Sequence, residues 1–118
     1  MAVRNFSAIS GIYAYNGAVV GQWAGLLNTD TGAPLAVPLY ADKSVQVEGT
    51  WGTGGALVFE GSIDGVTYYT LNDPQGNALT FATGTVRIEA VLENCTFIRP
   101  RVTGGDGTTN LSAKIIAR

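Results

Sequence analysis

The sequence contains no histidine and one cysteine, Cys95, among its 118 residues. Histidine is the usual general base, a frequent metal ligand and the partner of a catalytic serine, so its absence removes the commonest catalytic arrangements. A single cysteine cannot form an intramolecular disulfide, and without histidine it lacks its usual activating base. We therefore expect a protein that is not an enzyme, with no cofactor and no bound metal. Calcium held by turn carboxylates is an alternative, although their spacing matches no calcium loop.

Charged residues are also scarce. Asp, Glu, Lys and Arg make up 14% of the chain, against about 25% in a typical soluble domain. Because charged side chains normally coat solvent-facing surface, their scarcity predicts that other protein covers part of this surface. A monomer coated with threonine, serine, asparagine and glycine is the alternative.

The charge pattern limits the classes of partner. The net charge is −2 and the chain has no basic cluster, so it lacks the phosphate-neutralising surface that nucleic-acid binding needs. Residues 5–29 carry no charge and are long enough to cross a bilayer. They also contain asparagine, serine, glutamine and glycine, which a membrane helix would bury at a cost. A pair of strands hidden in a core or an interface fits better, and the start of the chain resembles no secretory signal.

Glycine and proline divide the chain into short β-prone runs. Sixteen glycines and four prolines fall about every eight to ten residues, as in a sandwich or barrel. No window keeps a helical apolar pattern beyond two turns. We predict an all-β fold, a single antiparallel β-sandwich of jelly-roll-like type with eight to nine strands. Residues 1–10 are predicted as an extended N-terminal arm and residues 11–118 as the sandwich domain.

Several strands can be placed from local pattern. Residues 44–48 alternate, which directs Val45 and Val47 inward. Residues 56–62 and 66–71 are predicted as strands around a turn at Asp64-Gly65, and residues 11–15 and 18–23 as a hairpin around Asn16-Gly17. Pro100 predicts that the strand at residues 95–102 is an edge strand or contains a bulge. Glu60 is predicted to lie on a solvated strand face.

Large apolar and aromatic side chains are the candidates for binding, because such residues anchor protein interfaces. Tyr68 and Tyr69 are adjacent in a predicted strand, so one of them must face away from the core. With Trp51, the exposed ring is a candidate platform for stacking on a sugar. The interface candidates are Phe6, Ile9, Trp23, Trp51, Tyr68 and Tyr69.

Three stretches resemble a family of short virion proteins of tailed phages, the head decoration or cement proteins. They are residues 40–51 (YADKSVQVEGTW), 59–71 (FEGSIDGVTYYTL) and 98–111 (IRPRVTGGDGTTNL). The middle stretch is also similar to sugar-binding sandwiches of discoidin type, whereas the last is more specific to the phage group.

The resemblance implies a protein that binds the outer surface of a phage capsid and stabilises the lattice. The implied partner is the major capsid protein, and the implied location is the virion, assembled in the host cytoplasm. Decoration proteins often act as trimers or dimers, so a homo-oligomer is expected. No nucleic acid or membrane partner is expected. The alternative is a carbohydrate-binding or host-attachment module of a phage tail or fibre, with a glycan as ligand.

Overall fold

The computed structural model describes residues 1–9 and 17–118. These ranges contain twelve β-strands. They contain no helix, and therefore no helix that could span a membrane. The strands are β1 (Val3–Arg4), β2 (Phe6–Ala8), β3 (Val19–Leu27), β4 (Thr31–Gly32), β5 (Leu35–Ala36), β6 (Lys43–Thr50), β7 (Ala56–Ser62), β8 (Tyr69–Thr70), β9 (Thr80–Ala82), β10 (Ile88–Ala90), β11 (Phe97–Gly104) and β12 (Asn110–Ala117).

The strands form two sheets. Sheet A has the order β1-β4-β11-β7-β8, with β5 also paired to β11 and β9 also paired to β7. Sheet B has the order β10-β6-β12-β3-β2. Every pairing is antiparallel except that of β1 with β4, which is parallel. The predicted all-β class and the predicted antiparallel sandwich are confirmed.

The core lies between the sheets and follows from alternation along the long strands. In β6, Val45 and Val47 are buried while Glu48 is exposed, as the sequence predicted. In β7, Leu57 and Phe59 point into the same core, where Phe59 meets Phe81 edge to face. Both sheets therefore present one apolar face inward, and their outer faces remain available for other contacts.

Pro100 lies in a central strand, so the expectation of an edge strand was wrong. β11 pairs with β7 on one side and with β4 and β5 on the other. Beside Pro100, the strand paired with β11 changes from β5 to β4. The Pro100 ring packs closely against Gly32 of β4, where an added Cβ would lie 2.6 Å from the Pro100 Cδ. The missing N–H thus coincides with an interruption of the neighbouring strands. The other alternative, a bulge, does occur in β11, but it lies after Pro100, between Val102 and Gly104.

The first nine residues are extended and bound to the chain's own sheets. β1 pairs with β4 in sheet A, and β2 pairs with β3 in sheet B. The Phe6 ring packs edge to face on Trp23, with 5.0 Å between the ring centroids. The carboxylate of Asp30 accepts hydrogen bonds from the Ala2 and Leu27 amides and from Arg4 Nε. This segment is therefore docked on the sandwich, although its predicted boundary at residue 10 and the predicted strand at residues 11–15 lie outside the described residues.

Candidate functional site

The outer face of sheet B is nearly free of charge. We call this surface the sheet B face. Along the paired strands its charges are Glu48 and Lys114, which form an ion pair with each other. Asp42 and Arg118, whose backbones are hydrogen-bonded to each other, add one charge of each sign at the end of the face. The face comprises Ser7, Ile9, Val20, Gln22, Ala24, Ser44, Gln46, Glu48, Ile88, Ala90, Ser112, Lys114 and Ile116.

Apolar side chains stand open on the sheet B face. Ile88 is 66% exposed and Ile116 is 41% exposed. With Ile9 and Val20 they line an open groove of about 410 Å³ that also involves Gln22. A partner that covers exposed isoleucines gains from burying apolar surface, and uncharged polar groups beside them cost less to cover than charges when the partner hydrogen-bonds them.

The outer face of sheet A has a different character, because a carboxylate is buried at its centre. The Glu60 side chain is 5% exposed and accepts a hydrogen bond from Arg99 Nε at 2.7 Å and from Arg101 Nε at 3.1 Å. The Arg99 guanidinium stacks on Tyr68, with its carbon 3.6 Å from the ring centroid. The expectation that Glu60 is solvated was wrong, because two neighbouring arginines cover it.

A second groove opens at the end of β7, beside β8. It has a volume of about 640 Å³, and Tyr69 lines it with 73% of its surface exposed. Asp64, Asn72 and Glu93 supply polar groups to its wall. We call this groove the Tyr69 groove.

The carboxylates of the Tyr69 groove are engaged as hydrogen-bond acceptors within the chain. The amides of Thr67 and Val66 and the hydroxyl of Ser62 hold the pKa of Asp64 below its ordinary value. Burial alone would raise the pKa of Glu93, but hydrogen bonds from the Asn72 amide and side chain outweigh it and lower that pKa. Both acids are therefore anions that hold loops in place.

Two further ionisable groups are set by their surroundings. Burial raises the pKa of the Cys95 thiol, which disfavours the reactive thiolate. At the opposite end of β7, the Thr108 hydroxyl and the amides of Thr53 and Thr108 hold the pKa of Asp106 far below its ordinary value. Within residues 1–9 and 17–118, no three acidic or cysteine side chains come together as a metal site.

The structure separates the six predicted interface candidates. Trp23 is fully buried in the core, where its Nε1 donates to the Ala33 carbonyl, so its side chain is not available to a partner. Phe6 and Trp51 are half-buried against the same core. Tyr68 lies beneath Arg99 on the outer face of sheet A.

The remaining two candidates are accessible. Ile9 lines the groove of the sheet B face, and Tyr69 lines the Tyr69 groove. Tyr68, which directly precedes β8, and Tyr69, which begins it, thus face opposite sides of this extended segment. The six residues do not form one site.

Sequence reasoning missed the residues that distinguish the two outer faces. Ile88 and Ile116 lie at alternating positions that read as ordinary strand residues, and their shared face depends on the strand order of sheet B. A signal for the Glu60 cluster did exist, since Arg99 and Arg101 are two residues apart and therefore share a face. That spacing predicts a shared face, and the position of Glu60 beneath both arginines depends on the pairing of β11 with β7.

Comparison with known proteins gives one line of evidence. No family model matches the chain, and no curated protein sequence is similar to it. Among solved structures, it is similar to the crystal structure of the SPBc2 prophage-derived protein YomS, with a TM-score of 0.62 and 10% sequence identity. The likeness is one of fold. It covers 90% of this chain and 98% of the YomS chain, so nearly the whole sandwich takes part.

Proposed function

We propose that the chain is a phage virion structural protein that binds the outer surface of the capsid through the sheet B face and stabilises the lattice. The observation that carries this proposal is the sheet B face itself. It joins exposed Ile88 and Ile116 to uncharged polar residues, and its one ion pair is internal. Covering such a surface costs less hydration energy than covering unpaired charges, provided that the partner hydrogen-bonds its polar groups.

The size of the face suits a protein partner. Three strands of eight or nine residues, flanked by two strands of three residues, lie about 4.8 Å apart with roughly 3.4 Å per residue, which gives an area on the order of 500 Å². A standard protein–protein interface buries about 800 Å² per partner. Contacts from neighbouring loops would supply the difference, so the face is large enough to be the centre of an interface.

The phage assignment is supported by two independent likenesses. The sequence stretches at residues 40–51, 59–71 and 98–111 resemble head decoration proteins, and the fold is similar to that of a prophage-derived protein. The carboxylates of the described grooves serve as hydrogen-bond acceptors in loops. A role that needs binding and no chemistry agrees with that arrangement.

The test uses virions of the phage that encodes the chain. We expect mass spectrometry to find the protein in heads separated from tails. Heads stripped of it should rebind wild-type protein, and Ile116→Asp should weaken rebinding at least about tenfold, because a buried unpaired carboxylate is costly. The matched control is Thr103→Asp, an exposed residue of β11 in the other sheet, which should rebind like the wild type.

Two results would contradict the proposal. The first is absence of the protein from purified heads. The second is rebinding of Ile116→Asp with wild-type affinity, which would place the capsid contact on another surface.

The Tyr69 groove favours a second candidate function, a carbohydrate-binding module of a phage tail or fibre. An exposed aromatic ring beside amide and carboxylate groups is the arrangement on which sugars stack. We expect Tyr69→Ala to weaken glycan binding several-fold on an array, since aromatic contacts are worth on the order of 1 kcal/mol. Leu39→Ala, at an exposed side chain outside the groove, is the control. Absence of binding at millimolar glycan would remove this candidate.

A further inference from the structure

The arginines beside Glu60 carry more charge than their partner neutralises. Arg99 and Arg101 both donate to the same carboxylate, one to each oxygen. In the described part of the chain, neither forms an ion pair with another acid. The cluster therefore carries one excess positive charge, on a protein whose net charge is −2.

The donors of both guanidinium groups are only partly used. Each arginine bonds to Glu60 through Nε, and among the described residues no hydrogen bond from Nη is found. The side chains of Arg99 and Arg101 are 26% and 44% exposed. An arginine fork presents its donors in a fixed plane that matches the oxygens of a carboxylate or a phosphate.

The cluster is also held in place before any ligand arrives. Glu60 fixes both Nε atoms, and the ring of Tyr68 supports the Arg99 guanidinium from one side. The neighbouring strands place Thr70 opposite Glu60 and Thr80 opposite Val58, and both threonines are exposed. Preorganised donors with hydroxyls at the rim lower the ordering cost of binding.

We propose that Arg99 and Arg101 form a binding site for an oxyanion, a carboxylate or a phosphate, on the outer face of sheet A. Glu60 orients the two guanidinium groups, and their Nη atoms donate to the ligand. The site lies on the sheet opposite the sheet B face, so it goes beyond the proposed attachment to a capsid and does not depend on it.

The structure supplies a matched control in Arg87. This arginine also forms an ion pair with a glutamate, Glu89, with 2.7 Å between its Nε and the carboxylate, and its side chain is also 44% exposed. It also lies over an aromatic ring, that of Phe81, at 5.2 Å. Its partner Glu89 also lies beside the Asp73 carboxylate, so this group has no excess positive charge, and it contains no second arginine.

The test is a titration of the full-length protein followed by NMR of the arginine Nε–Hε groups. The probes are inorganic phosphate and acetate, with chloride at equal ionic strength to separate binding from screening. We expect saturable shifts at Arg99 and Arg101 but not at Arg87. The stronger of the two probes identifies the ligand as a phosphate or a carboxylate.

Substitutions of the arginine and of the glutamate are expected to change the affinity for the probe in opposite directions. Arg101→Gln should weaken affinity for the stronger probe by about tenfold, because a charge-assisted hydrogen bond is lost. Arg87→Gln should leave that affinity unchanged. Glu60→Gln, provided that it folds, should strengthen binding, because it raises the excess charge of the cluster.

The proposal is overturned if chloride reproduces the shifts at Arg99 and Arg101. It is also overturned if Arg101→Gln and Arg87→Gln bind the probes equally. Because Arg101 is partly exposed, its variant is expected to fold and to decide the question even if Glu60→Gln does not.

Discussion

Each outer face of the sandwich carries a glutamate on a long strand with a basic partner, and the two glutamates lie in opposite environments. On sheet B, Glu48 is 52% exposed and pairs with one lysine, Lys114. On sheet A, Glu60 is 5% exposed and is covered by two arginines. The outward direction of a strand side chain therefore does not decide its solvation. The length and number of its cross-strand partners decide it.

The same comparison separates the roles of the two faces. The sheet B face has neutralised its charge and exposes isoleucines, which suits contact with a protein surface. The outer face of sheet A keeps an excess charge with fixed donors, which suits an anionic ligand. A protein with both faces can attach by one and present the other.

The largest expected difference between the faces concerns stability. Glu60→Ala leaves two arginines without their anion, and we expect the free energy of unfolding to fall by about 2–4 kcal/mol. Gln46→Ala, an outward residue of β6 in sheet B, should change it by about 0.5 kcal/mol or less. Urea denaturation of both variants checks this. Equal losses would show that Glu60 is not the centre of a stabilising cluster.

The N-terminal segment belongs to both sheets, which allows a second test. Phe6→Ala removes a half-buried ring from its contact with Trp23. We expect a loss of about 2–3 kcal/mol in the free energy of unfolding, less than for a fully buried phenylalanine. Ser7→Ala, its exposed neighbour in β2, is the control. A loss below about 0.5 kcal/mol would favour the separate arm that the sequence suggested.

The third prediction concerns pH and the Asp30 carboxylate. Burial alone would raise the pKa of Asp30, but hydrogen bonds from Arg4 and from the Leu27 and Ala2 amides lower it overall. A lowered folded-state pKa contributes stability that is present above the unfolded pKa of about 3.9 and is lost as pH falls through the folded pKa. Asp30→Asn should therefore destabilise the protein at pH 7 by about 1–2 kcal/mol. This difference should shrink steadily below about pH 4.

Thermal unfolding across this pH range checks the third prediction. Glu48→Gln on the sheet B face is the control, because an exposed ion pair contributes little. A constant difference between wild type and Asp30→Asn from pH 7 to about pH 2 would show that the Asp30 charge does not contribute.

The smallest effect on folding is expected at the exposed isoleucines. Ile88→Ser should change the free energy of unfolding by about 0.5 kcal/mol or less, because Ile88 is 66% exposed. The homo-oligomer expected from the sequence gives a second readout. If copies associate through the sheet B face, sedimentation should show a mass above the 12.3 kDa monomer that Ile88→Ser shifts downward. A wild-type monomer at all concentrations would contradict self-association.

The sequence predicted strands well where one face is buried and the pattern alternates. The strand at residues 56–62 has the observed bounds of β7, and the inward valines of β6 are correct. Residues 66–71 were predicted as one strand, but β8 spans only Tyr69–Thr70 because Asp64 binds the amides of Val66 and Thr67 in a turn. Local hydrogen bonding of an aspartate competes with the ladder there.

The candidate sites were harder to predict, because they depend on strand order. Trp23 lies in an uncharged segment that suggested an interface, yet that segment includes the buried positions of β3. The sheet B face joins Ile88 to Ile116 through β6, and no local pattern encodes that neighbourhood. Tyr69 could be predicted as one of two alternating rings, but its groove depends on Asn72 and Glu93 from other loops.

The sheets end in very short strands, and this affects how readily copies of the protein can aggregate. In the described part of the chain, the terminal strands of the sheet orders are β1 and β8 in sheet A and β10 and β2 in sheet B, each two or three residues long. A strand that short offers few free backbone groups for another chain to extend the sheet. Copies of the protein therefore have little free strand edge through which they could join into fibrils.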